Sequence, residues 1–357
     1  MLKTLNETPV RTSVNYGLND VKLELDVETL NNRANQSIFD NLSFETEELE
    51  KINVDIDDSN KEEFTSRIGL NFSSSKKILI EVPAFTELKM PVVIDCLFDE
   101  DNQILIDNVE IKMGKNSKAV FLLHYNSDVD STEYFHQLKQ ITKLEENSEA
   151  TIIISNLISS EAKSFIAVEN EVEENASLTH ILVELGGKIK VSNYYTRLNG
   201  DNSKNFVKNI YLGNKNDILD INYSIDAFGK KTKCNIESQG AIKDKAKKNF
   251  KGVIDFKEGS TKSNGIENEN CLILSEEAKS KSLPVLLCHE EDVYGEHGVS
   301  SGKPDESKLF YIMTKGISYN DARKLLVKAN FNNIIKDIEN EELKEKINEK
   351  IEELIND

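Results

Sequence analysis

The residues with the widest chemical reach are concentrated between Ser282 and Gly316, in SLPVLLCHEEDVYGEHGVSSGKPDESKLFYIMTKG. This stretch holds two of the five histidines, one of the four cysteines, two of the five prolines and the acidic run Glu290, Glu291 and Asp292. His297, in GEHGVSSG, is the first candidate. Its small neighbours read as a loop that leaves the ring accessible, and the carboxylate of Glu296 beside it can raise its proton affinity. Such an imidazole can ligate iron or another transition metal transiently, or accept a proton near neutrality. Cys288 precedes His289, and Cys271 lies seventeen residues upstream of Cys288. A cysteine and histidine cluster drawn from neighbouring strands can hold iron or a sulfur species, because thiolates favour Cu(I), zinc and iron–sulfur centres. Alternation puts Cys288 and His289 on opposite faces of one strand, so at most one of them shares an inward-facing site. No cysteine belongs to a CxxC pair, and the plainer reading of Cys96, Cys234, Cys271 and Cys288 is as small apolar residues.

Other motifs carry less. GVSSG, Gly298 to Gly302, matches the G-x-S-x-G elbow that would make Ser300 a nucleophile. That elbow needs a strand before it and a helix directly after it, whereas Lys303-Pro304-Asp305 follows here. His124, His136 and His180 are scattered through strands and a loop and read as ordinary interior or surface residues. No G-x-x-x-x-G-K-[ST] occurs and no G-x-G-x-x-G opens a helix, so neither ATP nor a dinucleotide is expected to bind by those routes. The absence of Trp weighs against a groove of aromatic sugar platforms.

The chain that must position these residues has 357 residues, 38% of them hydrophobic and 30% charged, enough for a large core under a well-solvated surface. A formal charge of −19 argues against a nucleic-acid backbone or an anionic membrane as the main partner. The N-terminus lacks the pattern of a secretory signal, and no window approaches the apolar length of a spanning helix. Sparse cysteines favour a reducing compartment, and a cytoplasmic location is expected.

Val21, Leu23, Leu25 and Val27 alternate and predict one or two short strands at the rim of the fold. Residues 46–63 crowd acidic side chains into a short span and read as a mobile insertion or a solvated element. From Lys76 onward the pattern is strand after strand: KKILIEVPAF, VVIDCLF, NQILIDNVEI, AVFLLHY and ATIIISNLI, separated by polar turns. No helical period long enough for regular βαβ crossovers separates them between 104 and 300. Asn116-Ser117, Asn147-Ser148 and Asn175-Ala176 each open a strand unit, at separations of 31 and 28 residues. Stacked units of this kind make a β-helix or an extended sandwich. Gly200, Gly213, Gly229, Gly240, Gly252, Gly259 and Gly265 read as tight corners between strands. Past Gly316 the period becomes helical. Ser318 can cap a helix with Asp321, Ala322, Leu325, Leu326 and Ala329 line one face, and Ile334, Ile335 and Ile338 belong to a second segment. Leu343, Ile347, Ile351 and Leu354 form a stripe that packs on its own domain or offers a partner a groove.

The order Pro284, Asp292-Val293, His297-Gly298, Gly302, Leu309-Phe310-Tyr311 and Lys315-Gly316-Ile317 resembles the terminal segment of the SufB/SufD family, scaffold proteins of iron–sulfur cluster assembly. GAIKDKAKKNFKGVIDF and NCLILSEEAKSKSLP match the family's style upstream, and LNETPVRT looks like its entry segment. The likeness is specific over about 220–331. It leans to SufD, because SufB has Glu directly after the motif histidine and this chain has Gly298. Counting back from Pro284 also places Glu269 near the SufB cysteine implicated in cluster building, with Cys271 two residues later.

The resemblance implies a mainly β fold: a right-handed parallel β-helix core over 76–300, a small N-terminal region with the acidic insertion over 1–75, and a C-terminal helical domain over 301–357. It implies a non-enzymatic scaffold that pairs edge to edge with a SufB-like paralogue and docks a SufC-like ATPase, which would bring the missing nucleotide site. Sulfur and electrons would come from elsewhere. His297 and Glu296 map to the cluster-assembly interface, and Phe310, Tyr311, Gly316, Leu325 and Leu326 to partner docking. No stably bound cofactor is expected on the chain alone, only a transient iron–sulfur cluster at the complex interface; in isolation the chain can pair with a second copy. Two alternatives stay open: a SufB-like scaffold that binds the cluster itself through Cys271 or Cys288, and a carbohydrate-active β-helix protein.

Overall fold

Short β-branched segments separated by polar turns cannot satisfy their backbone edges locally, and stacking on the next segment does so. The computed structural model describes residues 2–6, 22–36, 39–57 and 63–356. It is mainly β, with a right-handed parallel β-solenoid of about eight turns, an N-terminal region and a C-terminal helical bundle. Strands alternate between two nine-stranded sheets. The first comprises Leu42–Glu45, Val92–Phe98, Lys118–Ser127, Glu149–Asn156, Ser177–Glu184, Lys204–Gly213, Lys233–Ile242, Asn264–Ile273 and Tyr294–Gly302. The second comprises Asn53–Asp57, Lys76–Val82, Ile104–Met113, Phe135–Leu144, Lys163–Val172, Ile189–Leu198, Ile218–Ala227, Lys247–Phe256 and Lys279–Cys288. Within each sheet only the first pairing is antiparallel.

The Asn-Ser and Asn-Ala repeats are corners of this coil. Asn116, Asn147, Asn175 and Asn202 all adopt left-handed backbone, with φ of 56°, 60°, 57° and 58°, a conformation asparagine tolerates better than most residues. Each corner bonds to the next turn: Asn116 N–H donates to the Glu146 carbonyl, Asn147 to Glu174 and Asn175 to Asp201, at 3.1, 2.9 and 2.9 Å. Ser117 and Ser148 close their own corners by donating to the Gly114 and Glu145 carbonyls, both at 2.6 Å.

Three of the seven glycines expected there, Gly200, Gly229 and Gly259, lie at corners between strands, Gly259 with φ of 93°, and the other four lie within strands. Gly240 and Gly252 lie inside strands and face the interior, where a Cβ would collide with the Tyr211 ring and with Glu267 Oε1, respectively. They make room for large inward side chains.

The described part of the acidic segment is a short solvated element built into the fold, with Leu49–Lys51 and most of Asn53–Asp57 exposed. Asn53–Asp57 pairs with Lys76–Val82 and opens the second sheet, and Ile52 joins the core; its backbone hydrogen bonds and this buried anchor outweigh the charge density. Residues 58–62 of that segment lie outside those described, as do Val21 and most of LNETPVRT. The strand expected through Val27 stops at Glu24, and Val27–Gln36 forms helix α1, whose start is stabilised by Asp26 accepting from the Thr29 backbone at 3.2 Å. Near the start of the chain, Asn6 docks on the outer face of the second sheet. It donates to the Ser192 and Asp220 carbonyls, both at 3.0 Å, and its own carbonyl accepts from Lys251 Nζ at 2.7 Å. Lys251 and Asp220 form a buried pair there at 2.7 Å.

Three helices follow the solenoid: α2, Glu306–Met313; α3, Tyr319–Ile335; and α4, Glu341–Asn356. Ser318 caps α3, accepting from Asp321 N–H at 3.2 Å. The two helical segments read on either side of Asn330 are one continuous helix, and ESKLFYIM is a helix of its own. The buried face of α3 also differs from expectation. Ala322, Val327, Phe331, Ile334 and Ile335 are buried, while Leu325 and Ala329 are exposed. The contacts of Val327, Phe331, Ile334 and Ile335 with the first sheet set this rotation. Leu343, Ile347, Ile351 and Leu354 of α4 join them over Ile153, Ile181, Val183, Ile210 and Leu212 of that sheet. The C-terminal stripe therefore packs on its own chain. Among the described residues no helix is long and apolar enough to cross a membrane.

Candidate functional site

The coil ends in an open turn. Lys279–Cys288 pairs only with Lys247–Phe256, and Tyr294–Gly302 only with Asn264–Ile273, so among the described residues both outer edges lack a strand partner. Unpaired edges of this kind are templates for a further strand.

His297 sits in the middle of the last strand, not in a loop; the Gly- and Ser-rich segment is held extended by its ladder to Asn264–Ile273. The register sets His297 beside Glu267, Val299 beside Glu269 and Ser301 beside Cys271. In the preceding turn Glu267, Glu269 and Cys271 face the interior and are buried, whereas His297 is exposed. The exposed imidazole thus lies one rung above a buried polar layer. Glu296 is on the opposite face of the strand, where it accepts from the Tyr294 hydroxyl at 3.0 Å.

That polar layer is built from four strands. Glu269 is fully desolvated and pairs with Lys248 Nζ; the Tyr211 hydroxyl also donates to Glu269 Oε1, at 2.6 Å, and Ser282 to Oε2, at 2.7 Å. Lys248 in turn donates to Ser282 at 2.8 Å. Every strong polar group of this set has a partner, as a buried network requires. Glu267 is different. Neither carboxyl oxygen has a hydrogen-bond partner, and burial, reinforced by the neighbouring Glu269 charge, pushes its pKa up to about 8. At neutral pH Glu267 is therefore protonated. Burial also raises the Cys271 thiol above its ordinary value, with partial relief from the Lys248 ammonium.

The remaining candidates lie apart from this layer or above it. Cys288 is exposed at the end of its strand, and His289 approaches Asp255 at 3.5 Å. Among the described residues no three His, Cys, Asp or Glu side chains are arranged to hold a metal ion. Phe310 and Tyr311 on α2 are 70% and 64% exposed, and Leu325 on α3 is 45% exposed. Leu326 is half-buried, and Gly316 adopts φ of 85° between α2 and α3, a backbone angle that suits glycine. Ser300 is exposed in the last strand, with no helix directly after it.

Glu267, Lys248, Tyr211 and Ser282 do not stand out in the sequence. Strict alternation from Gly265 would have put Glu267, Glu269 and Cys271 on one face. Further polar side chains continue down the interior. His180 receives the Tyr194 hydroxyl at 3.1 Å and lies 3.1 Å from Gln140, and Glu184 accepts from Asn209 and Tyr223 at 2.6 and 2.9 Å. Burial lowers His180 to about 3, so it stays neutral.

Over residues 96–330 the chain matches the family described as "SUF system FeS cluster assembly, SufBD core domain". It is 23% identical over 267 residues to the iron-sulfur cluster assembly protein SufD of Bacillus subtilis (strain 168), covering 74% of this chain and 61% of that protein. Against the SufD protein of Escherichia coli (strain K12) it is 25% identical over 280 residues, covering 68% and 65%. An iron-sulfur cluster assembly SufBD family protein of Pyrococcus horikoshii, PH1385, is 25% identical over 234 residues, covering 65% and 50%. The chain spans less than two thirds of the length of each of these relatives.

Proposed function

Because the chain belongs to the SufB/SufD family of iron–sulfur cluster assembly proteins, with closer similarity to SufD homologues, we propose that it is a non-catalytic scaffold subunit whose open final turn supports cluster formation against a paralogous partner. The observation that carries this reading is the unpaired edge at Tyr294–Gly302, which leaves His297 exposed on the interior-side face of the terminal turn, above a sealed polar layer. A SufB-like subunit continues the coil by edge-to-edge pairing, and the two terminal turns enclose the nascent cluster. The cluster is cargo. His297 offers it an imidazole ligand, with Glu296 on the outer face contributing to the partner contact. The rest of the coordination, and the sulfur, come from outside this chain.

The helical bundle supplies a second contact. Phe310, Tyr311 and Leu325 expose apolar surface on α2 and α3, away from the face that packs on the first sheet. Such a patch suits a SufC-like ATPase, whose nucleotide cycle would move the bundle and open the interface. We place the domain divisions near 75 and 300, although strand pairing with the sheets begins at Leu42 and the last strand runs to Gly302, and the cytoplasm is the expected place of action.

A SufB-like reading, with Cys271 or Cys288 as cluster ligands, has less support, since Cys271 is sealed beneath the last turn and its thiol is held protonated by burial. Replacing His297 by Ala tests the proposal in a reconstituted complex. Cluster yield is expected to fall several-fold while the variant still folds and assembles, because the side chain is exposed in the isolated chain. Unchanged yield would remove His297 from the site.

A further inference from the structure

A cavity of about 290 Å³ lies between α3 and the flank of the solenoid. Lys243, Asp244, Ser275, Asn320, Arg323 and Lys324 contribute its polar lining. Among the described residues three cations therefore face one carboxylate, in a chain whose formal charge is −19. The partners of two of these cations are mostly neutral. Lys243, with its side chain only 13% exposed, donates to the Ile355 carbonyl at 3.2 Å, and its nearest carboxylate among the described residues, Asp244, is 3.8 Å away. Arg323 donates to the Leu274 carbonyl and forms no ion pair among the described residues. A carbonyl occupies a donor but does not neutralise the charge, and a partly desolvated cation left in that condition favours an anion.

We propose that this cavity binds a phosphate-type oxyanion through Lys243, Arg323 and Lys324. The guanidinium of Arg323 has further N–H donors in its planar fork, a geometry matched to two oxygens of one phosphate. Lys243 approaches from the turn after Lys233–Ile242, and Ser275 and Asn320 add neutral donors from the solenoid and from α3. Lys324, which lies 3.4 Å from Asp321, adds charge at the rim. A bound oxyanion bridges α3 to the solenoid turns at 243–244 and 274–275, and so tightens the seat of the helical bundle. The same chemistry is offered by free phosphate and by a small phosphate ester.

The test uses the full chain titrated with inorganic phosphate and, separately, glycerol 3-phosphate at fixed ionic strength, read by calorimetry and by the thermal midpoint. Saturable binding of either one is expected, with a raised midpoint, and Arg323→Gln should weaken it by about tenfold or more. Tighter binding of the ester identifies a phosphate ester as the ligand, and tighter binding of phosphate identifies the free ion. Lys324→Gln, at the rim, is the second variant should Arg323→Gln alter folding, and a several-fold weakening is expected from it. No saturable binding of either compound, or equal binding by wild type and both variants, overturns the proposal.

Discussion

Replacing Lys248 by Met lowers the stability of the chain by about 3–5 kcal/mol, the range for removing one partner of a buried ion pair. Lys248 and Glu269 are both fully buried, and no solvent reaches the carboxylate once the ammonium is gone. Tyr211 and Ser282 still donate to Glu269, but two neutral donors do not replace a cation. Removing Glu269 at the same time, as Lys248→Met with Glu269→Leu, should restore much of the loss, since an apolar pair is often as stable as a buried ionic one. Urea unfolding at neutral pH measures both. A single-variant loss below about 1 kcal/mol, the range typical of an exposed pair, would show that the layer under the last turn is not sealed.

Glu267→Gln should act in the opposite direction and depend on pH. The folded chain holds the Glu267 proton up to about pH 8, whereas an unfolded glutamate releases it near 4.5. Between those values the folded state binds more protons than the unfolded one, so this group makes stability fall as pH rises. Below about 4.5 it has no effect of this kind. At pH 7 the penalty is on the order of 3 kcal/mol. Gln keeps the shape and abolishes the titration, although its amide also lacks partners, so a gain of about 1–3 kcal/mol at pH 8 is expected. The variant and wild type should converge near pH 4.5. Parallel pH profiles for the two proteins, measured by urea midpoint, would contradict a buried neutral carboxyl at this position.

The coil was legible where local chemistry repeats. Asn116, Asn147 and Asn175 announce its corners because each turn needs a residue that accepts left-handed backbone beside a small residue. The helical stripe of Leu343, Ile347, Ile351 and Leu354 was equally plain, because a single sheet face buries all four. Other features depend on contacts distant in sequence. Lys248 and Lys251 look like parts of a solvated lysine run, yet one faces the interior toward Glu269 and the other is covered by Asn6. Gly240 and Gly252 look like turn residues, and only the bulk of Tyr211 and Glu267 on other strands explains them. His297 was identifiable as accessible, but its small neighbours suggested a loop; the extended backbone comes from the parallel partner at Asn264–Ile273. Glu267 was lost among 63 acidic residues, and Glu269 was noted only for its place relative to Pro284, because alternation alone does not separate an interior carboxyl from a surface one.

Anaerobic purification of this chain with SufB-like and SufC-like partners, followed by iron and sulfide analysis of the complex and of each separated subunit, tests the scaffold role most directly. Iron and sulfide are expected on the complex and not on this chain alone, because no group of three ligating side chains is present among its described residues and the open turn needs a partner. Stoichiometric cluster retained by the isolated chain, and lost when Cys271 or Cys288 is replaced, would contradict an interface scaffold and assign the cluster to the chain's own cysteines.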